Sequence, residues 1–425
     1  MTGPIHIRFR DRFILLSALA FTCMTMLAGP LRMYLSQAGL SPLIYVPNLM
    51  LLLSAGWQVL AEPRERGFTA MHLIALLIPA YALCIGLQFL PPVQSAMGAY
   101  VLLPFWFGLA CGPVLLAHWR SVAPLVPVFW LIAVSGVLLN QYVEYPWEGF
   151  GYNVGNLDVE GSRQWYATGG GKRLAGFSRS SFDAATQVQL IGILMALQTR
   201  NPMLRTIFWA ITIAAIVPTN SKGILMVSVV LTPIVILRSL IPQTLLRGLP
   251  ALFGALGLAM PTSTLMFSFN SPLKDPTLAN ATYSFYDRLN YMWPEAWTLL
   301  SEGGHSLLGR GLGGIGTAQT YFESTVFNAG DNIFMYWFVV FGWVALPGFL
   351  LLLLRSLRLK PFRSDTELRV YCLLLAMLVY GTMTNIVENA VFALTAGIVV
   401  RWLASSPRPS THQSVRAPLA CAPAT

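Results

Sequence analysis

Residues 332–354 read NIFMYWFVVFGWVALPGFLLLLL, with no charged side chain anywhere in the run. At 1.5 Å per residue such a helix is long enough to cross the ~30 Å hydrocarbon layer of a bilayer. Outward from it, similar apolar stretches recur near 13–30, 43–60, 70–90, 97–117, 122–140, 183–198, 203–218, 221–240, 246–269, 368–385 and 389–404. The chain is 55% hydrophobic and only 10% charged, where a soluble domain carries about 25% charged residues. An all-α polytopic membrane protein is therefore expected, with twelve spans preferred. The stretches starting near 183, 203 and 368 are short or flecked with polar residues, which leaves a range of ten to twelve. One membrane domain would cover 1–405. The Pro-, Ser- and Ala-rich segment 406–425 would be a disordered cytoplasmic tail.

Lysine and arginine set the orientation, because they accumulate on the cytoplasmic side. With the N-terminus inside, twelve spans place 18 of the 27 basic residues in the cytoplasm. The nine left outside are Arg32, Arg163, Lys172, Arg173, Arg179, Lys222, Lys274, Arg288 and Arg310. The acids divide the other way, five inside and twelve outside. Dropping one span would spoil this split for every later connection. The net charge of +10 is thus a signature of topology and is no sign of nucleic-acid binding. Cys23, Cys84, Cys111 and Cys372 fall inside spans and Cys421 in the tail, so neither a disulfide framework nor a metal cluster is expected. The basic start resembles a signal peptide, but "LAGP" is a weak cleavage site, which favours a retained first helix.

Two connections are long, about 140–182 and about 270–331, and both lie outside. Long loops of this kind usually carry function or small elements of their own. The second contains "GRGLGGIG", in which Gly309, Gly311 and Gly314 match G-x-G-x-x-G, with Asp331 twenty residues after Gly311. A dinucleotide fingerprint needs a preceding strand and a second strand ending in the acid. Here Asp331 opens an apolar span instead. The segment is expected to be a flexible glycine turn, or one whose exposed N–H groups cradle an anion.

Four stretches carry a family resemblance: "KRLAGFSRSSFDAATQ" (172–187), "PTNSKGILMV" (218–227), "YDRLNYMWPEAWTLLSEGGHSLLGRGLGGIG" (286–316) and "AGDNIFMYWFVVFGWVALPG" (329–348). In order and spacing they resemble the O-antigen ligase and Wzy-type polysaccharide polymerase superfamily of bacterial envelope membranes. The first is similar to that family's Arg-x-x-Gly-x-Phe segment. The second is similar to its polar turn, with Lys222 where Arg is usual. The last is similar to its closing motif, in which ligases carry His-Asn and many polymerases Asp-Asn. Asp331 beside Asn332 therefore favours a polymerase. The resemblance implies glycosyl transfer from an undecaprenyl-diphosphate-linked oligosaccharide, outside the cytoplasm, in the inner membrane. It also implies a chain-length regulator and export proteins as partners.

The residues can be weighed for that chemistry independently. A lipid diphosphate needs cations at the membrane surface, and arginine offers a planar fork for phosphate oxygens. Arg173, Arg179, Lys222 and Arg288 are the candidates, since basic residues outside run against the topological bias. Loop salt bridges are the alternative for Arg173 and Arg179, and a plain hairpin end for Lys222. A helix over 283–293 would turn Arg288 toward a cleft and Tyr286, Trp293 and Trp297 toward the membrane interface, unless Pro294 kinks it. The acceptor hydroxyl needs a base. Asp331 is the candidate, with an N-cap role as the alternative, and His305 is its rival. Asn332, Gly311 and Gly313 are possible accessory residues. Trp147, Trp165 and Tyr166 are candidates for stacking on sugars, or else interface anchors. The diphosphate is already a good leaving group, so cation stabilisation could replace a general acid; no metal-binding cluster appears in the sequence, and chemistry without metal or cofactor is expected. A ligase is the nearest rival reading. A lipid-linked-sugar flippase is a further one, although it would call for ionisable groups at mid-membrane.

Overall fold

The computed structural model describes residues 8–66, 70–154, 157–166, 170–237, 240–269, 276–359 and 364–405; the expected tail 406–425, and Lys274 with it, lie outside the described residues. In an apolar stretch each backbone N–H must find a partner within its own segment, and only the i−4 carbonyl supplies one locally. Helices accordingly cover every apolar stretch. In chain order the first are α1 (Phe9–Met26), α2 (Ala28–Gln37), α3 (Val46–Arg66), α4 (Ala70–Phe89), α5 (Pro92–Val101), α6 (Leu103–Ala117), α7 (Trp119–Val122) and α8 (Val126–Leu139). After the first long connection come α9 (Ser181–Gln198), α10 (Pro202–Ile216), α11 (Lys222–Leu237) and α12 (Gln243–Ser263). Five helical units among the described residues are long and apolar enough to cross a membrane: Ser41–Glu62, Trp119–Leu139, Pro202–Thr219, Gln243–Ser263 and Ile333–Ser356. Two bent pairs raise the number to seven: α1 with α2, turned by 86°, and α5 with α6, turned by 44°.

The polar flecks in α9 have a packing reason. This helix is buried over most of its length, so its polar side chains face protein. Ser228 donates to Gln189 Oε1 at 2.6 Å, and Gln187 Nε2 donates to the Thr25 carbonyl at 3.1 Å. Trp130 Nε1 similarly donates to Thr212 Oγ1 at 2.9 Å, and Trp209 Nε1 to Thr232 Oγ1 at 2.9 Å. Such bonds, and small residues that let backbones approach, are what hold helices together in lipid. The closest approach is between α6 and α19 (Ala390–Ser405). A Cβ at Gly108 would overlap the Leu394 carbonyl, and one at Gly397 the Phe105 carbonyl.

One end of the bundle gathers Asp11 with His118 (3.5 Å) and Glu62 with Arg401 (2.8 Å). Arg355 Nη1 joins it, donating to the Leu403 carbonyl at 3.1 Å. The opposite end carries both long connections. The first departs from the all-helical expectation. It folds into two small antiparallel hairpins, β1 (Gly151–Val154) with β2 (Leu157–Glu160) and β3 (Trp165–Tyr166) with β4 (Lys172–Arg173).

The second connection is not the loop expected over 270–331. From 276 it forms α13 (Pro276–Asp287), a π turn over Arg288–Met292, α14 (Trp293–Gly303), a tight return over 304–316, and α15 (Thr317–Phe322). The following helix is broken at Gly342, where φ is +64°, into α16 (Ile333–Phe341) and α17 (Ala345–Ser356). The return fits that break. Arg310 N–H donates to the Val339 carbonyl (2.7 Å) and Gly311 N–H to that of Val340 (3.0 Å). In exchange Trp343 N–H donates to the Ser306 carbonyl (3.0 Å) and Val344 N–H to that of Leu307 (3.2 Å). Irregular backbone between apolar helices is tolerated only with such partners. Trp293 and Trp297 are therefore buried in the core, away from any membrane interface. Trp297 stacks on Trp343 at 5.6 Å, and its Nε1 donates to the Pro261 carbonyl at 2.9 Å. Pro294 stands in the first turn of α14, directly after the π turn, at a position that needs no N–H donor. α18 (Asp365–Gly381) and α19 close the bundle.

Candidate functional site

Arg288 is the first residue of the π turn, a local widening that re-aims side chains and often marks functional positions. Its Nη2 donates to Asp331 Oδ2 at 2.7 Å, and its Nη1 to the carbonyl and hydroxyl oxygens of Ser284. Its Nε is buried with no hydrogen-bond partner. Two distant candidates, forty-three positions apart, are thus brought into direct contact.

Asp331 does not cap α16. Asn332 does: its Oδ1 accepts from Phe334 N–H at 2.8 Å and Met335 N–H at 3.0 Å. Its Nδ2 donates to the carbonyls of Gly257 (2.8 Å) and Thr382 (3.0 Å), so every polar atom of this fully buried side chain serves the fold. That removes the capping alternative for Asp331 and leaves one carboxylate oxygen without a hydrogen bond among the described residues. Burial pushes the Asp331 carboxyl above its ordinary value, and the attraction of Arg288 only partly offsets this.

Asp287 also acts on Asp331, and two further cations lie on neighbouring elements. Lys222 is the exposed first residue of α11, and the ring of Tyr380 fills the space beside its neighbour Gly223. Tyr380 in turn lies within electrostatic reach of Asp331 and Arg288. Arg173 joins from the first connection, because Leu174 N–H donates to the Pro218 carbonyl (3.2 Å), four residues before Lys222. The Arg173 guanidinium sits 5.3 Å from the ring centre of Phe182, and its Nε is buried without a partner. The outer Lys172 pairs with Glu144 and Glu148 and belongs to the loop's own scaffold.

Four other candidates are placed elsewhere. Arg179 is held beside Arg32, its Nε donating to the Glu160 carbonyl at 3.2 Å. His305 lies at the far end of α14 from Arg288, and its Nδ1 accepts from Leu307 N–H (3.2 Å) and Leu308 N–H (3.3 Å). It shapes the return and is remote from Asp331. Gly311 and Gly313 form neither a flexible turn nor an anion cradle. Gly311 packs against Gly86 of α4, and Gly313 against Gln94 of α5. Both have positive φ, +78° and +83°, which suits glycine. Arg310 locks the same segment: it bonds the Gly303 and Gly314 carbonyls and both oxygens of Glu323. Of the stacking candidates, Trp147 is an internal strut with Nε1 donating to the Gly176 carbonyl at 3.1 Å. Trp165 packs edge-on to Phe182, and Tyr166 is exposed.

One carboxylate was missed by sequence reasoning. Glu388, between α18 and α19, accepts from Thr317 N–H (2.9 Å), Thr317 Oγ1 (2.8 Å) and Tyr336 OH (3.2 Å). Burial pushes its carboxyl up to about 7, against these bonds and the nearby Arg163. The only signal was an acid within the polar run "NIVEN" (385–389) between two apolar stretches.

An apolar cavity of about 430 Å³ lies between α4, α6, α16, α17, α18 and α19. Its lining runs from Ile74, Ser356 and Leu403 at one end to Ile333 and Val387 at the other. Ile333 is two residues from Asp331, and Val387 adjoins Glu388. No group of three or more metal-ligating side chains occurs among the described residues. No family model, curated protein or solved structure matches the chain.

Proposed function

We propose that this protein is a polysaccharide polymerase, a glycosyltransferase that joins undecaprenyl-diphosphate-linked oligosaccharide repeat units at the outer face of a bacterial inner membrane. The observation that carries the reading is a carboxylate–guanidinium pair, Asp331 and Arg288, two residues along the chain from Ile333, which lines an apolar cavity. A polyprenyl diphosphate has that same order of parts: an apolar chain, then a charged headgroup, then sugar. In this reading all twelve apolar stretches cross the membrane, both termini are cytoplasmic, and the two long connections meet on the outer side.

The proposed step is an inverting displacement. The acceptor hydroxyl oxygen attacks the anomeric carbon of the donor sugar while Asp331 takes the hydroxyl proton. The bond from that carbon to the diphosphate oxygen breaks, and both its electrons leave with the lipid diphosphate. Arg288, Lys222 and Arg173 receive the leaving charge. Preorganised cations are effective there because charge develops at those oxygens in the transition state. Arg288 exchanges part of its contact with Asp331 for phosphate, which frees the carboxylate. Its raised pKa makes Asp331 a stronger base than an exposed aspartate. The ligase alternative is disfavoured by Asp331 where ligases carry histidine. A chain-length regulator and export proteins are the partners this role implies.

The test is reconstitution with purified lipid-linked repeat unit and no nucleotide sugar. Glycans longer than one repeat are expected. Movement of the unit across the bilayer without new glycosidic bonds would replace this reading with transport.

A further inference from the structure

A second cationic cluster lies apart from the Arg288–Asp331 mouth. The sharp turn between α1 and α2 lays α2 across the same end of the bundle, held by a bond from Gly29 N–H to the Phe177 carbonyl at 2.9 Å. This presents Arg32 to a ring of tyrosines drawn from three other elements. Arg32 Nη1 donates to Tyr152 OH on β1 at 3.3 Å, and Tyr152 OH lies 3.5 Å from Tyr45 OH. Tyr100, at the end of α5, accepts from Asn48 Nδ2 at 2.6 Å. Arg179 completes the group.

The groups that act most strongly on Arg32 are Arg179, Tyr152, Tyr100 and Tyr45, and no carboxylate is among them. Glu160 meets Arg179 through its backbone carbonyl, and its carboxylate forms an ion pair with Arg163 at 2.6 Å. Arg32 Nε is buried with no partner. Arg32 and Arg179 both reach the β1–β2 hairpin, at Tyr152 and at the Glu160 carbonyl; two guanidiniums on one hairpin, one with an unsatisfied buried donor and neither in an ion pair among the described residues, are an unfavourable arrangement unless an anion joins them. The donors present, two planar forks and tyrosine hydroxyls, suit phosphoryl oxygens.

We infer that Arg32 and Arg179, with Tyr45, Tyr100 and Tyr152, form a second phosphoryl-binding site that holds the headgroup of the acceptor lipid. The occupant follows from the proposed function, on which this part rests. Joining two lipid-linked saccharides requires two diphosphates at one face: one departs at Arg288, and the other stays attached to the acceptor. A separate site keeps the acceptor's phosphates from competing for Arg288 and aims its sugar at Asp331.

The test uses the full chain in nanodiscs of neutral phosphatidylcholine, titrated with farnesyl diphosphate and followed by calorimetry. Wild-type protein is expected to bind two equivalents. The double variant Arg32→Gln, Arg179→Gln binds one, and Arg288→Gln also binds one, with the remaining site different in each case. The double variant Arg32→Lys, Arg179→Lys keeps two, and Tyr152→Phe weakens one site about five-fold, which separates ligand binding from misfolding. Inorganic pyrophosphate displaces the probe from both sites if the headgroup is what is recognised. A single equivalent in wild-type protein, two in the glutamine double variant, or failure of pyrophosphate to displace the probe there would each overturn the proposal. If the double variant loses one equivalent while wild-type protein makes no polymer, the site stands and the polymerase reading falls.

Discussion

The second long connection contributes an arginine to each of two carboxylate pairs, and the pairs are built for opposite ends. Arg310 places its guanidinium on two carbonyls and both oxygens of Glu323, and Gln94 adds a further bond to Glu323. Although burial opposes it, these partners hold the Glu323 carboxyl below its ordinary value. Arg288 holds one oxygen of Asp331 and leaves a buried Nε unused. There burial prevails and the carboxyl stands above its ordinary value. A saturated pair has nothing left to offer a ligand, so it serves the fold. An unsaturated pair at an open mouth can exchange partners, and that is what a transfer reaction requires.

Breaking the saturated pair should have the largest effect. Arg310→Met leaves Glu323 partly buried without its cation, a loss of about 3–5 kcal/mol. Thermal unfolding in detergent should show a markedly lower midpoint; an unchanged midpoint would mean the pair is not structural. Asp331→Asn comes next. It should keep wild-type unfolding, because Asn332 supplies the cap, yet lower polymer formation by roughly 10²–10³-fold, as loss of a general base does. Near-normal turnover would remove Asp331 from the reaction. Arg288→Lys preserves charge but not the fork, and about a ten-fold loss of polymerisation is expected. Equal rates for the two proteins would show that a point charge suffices.

The smallest effect is on the pH dependence of stability. Glu323 is depressed, so its contribution is present above the ordinary glutamate pKa and fades as pH falls through the lower folded value. Glu388 is raised to about 7, so its contribution is complete below the ordinary glutamate pKa and is lost as pH rises through about 7. Glu388→Gln should flatten the decline in unfolding midpoint as pH rises from the ordinary glutamate pKa to about 7, and Glu323→Gln the decline as pH falls below the ordinary glutamate pKa. Parallel pH profiles for the two variants would contradict this assignment.

The candidate site was partly readable beforehand. Arg288, Asp331, Lys222 and Arg173 stand out because cations on the outer side oppose the topological bias and because Asp331 opens a span. The contact between Arg288 and Asp331 was not readable, since it depends on a π turn, and neither was the approach of the first connection to Pro218. Arg32 was countable among the outer cations but had no distinguishing neighbour in sequence. Its tyrosine partners come from positions 45, 100 and 152. The glycines of "GRGLGGIG" misled for a related reason. Glycine permits a turn, a cradle or a close approach equally well, and only the presence of Gly86 and the broken helix beside them selects the last.

By itself the sequence determined that the chain is mostly helical and where its long apolar helices lie. Both follow from local quantities: apolar length and charge density. Tertiary structure alone decided which arginine is a strut and which is free to act, and which of two adjacent residues, Asp331 or Asn332, caps the helix. It also made a supposed outer loop part of the helical body. Those outcomes depend on whether each buried polar group finds its partners, and some of those partners are distant in sequence, as Asp331 is from Arg288 and Gly257 from Asn332.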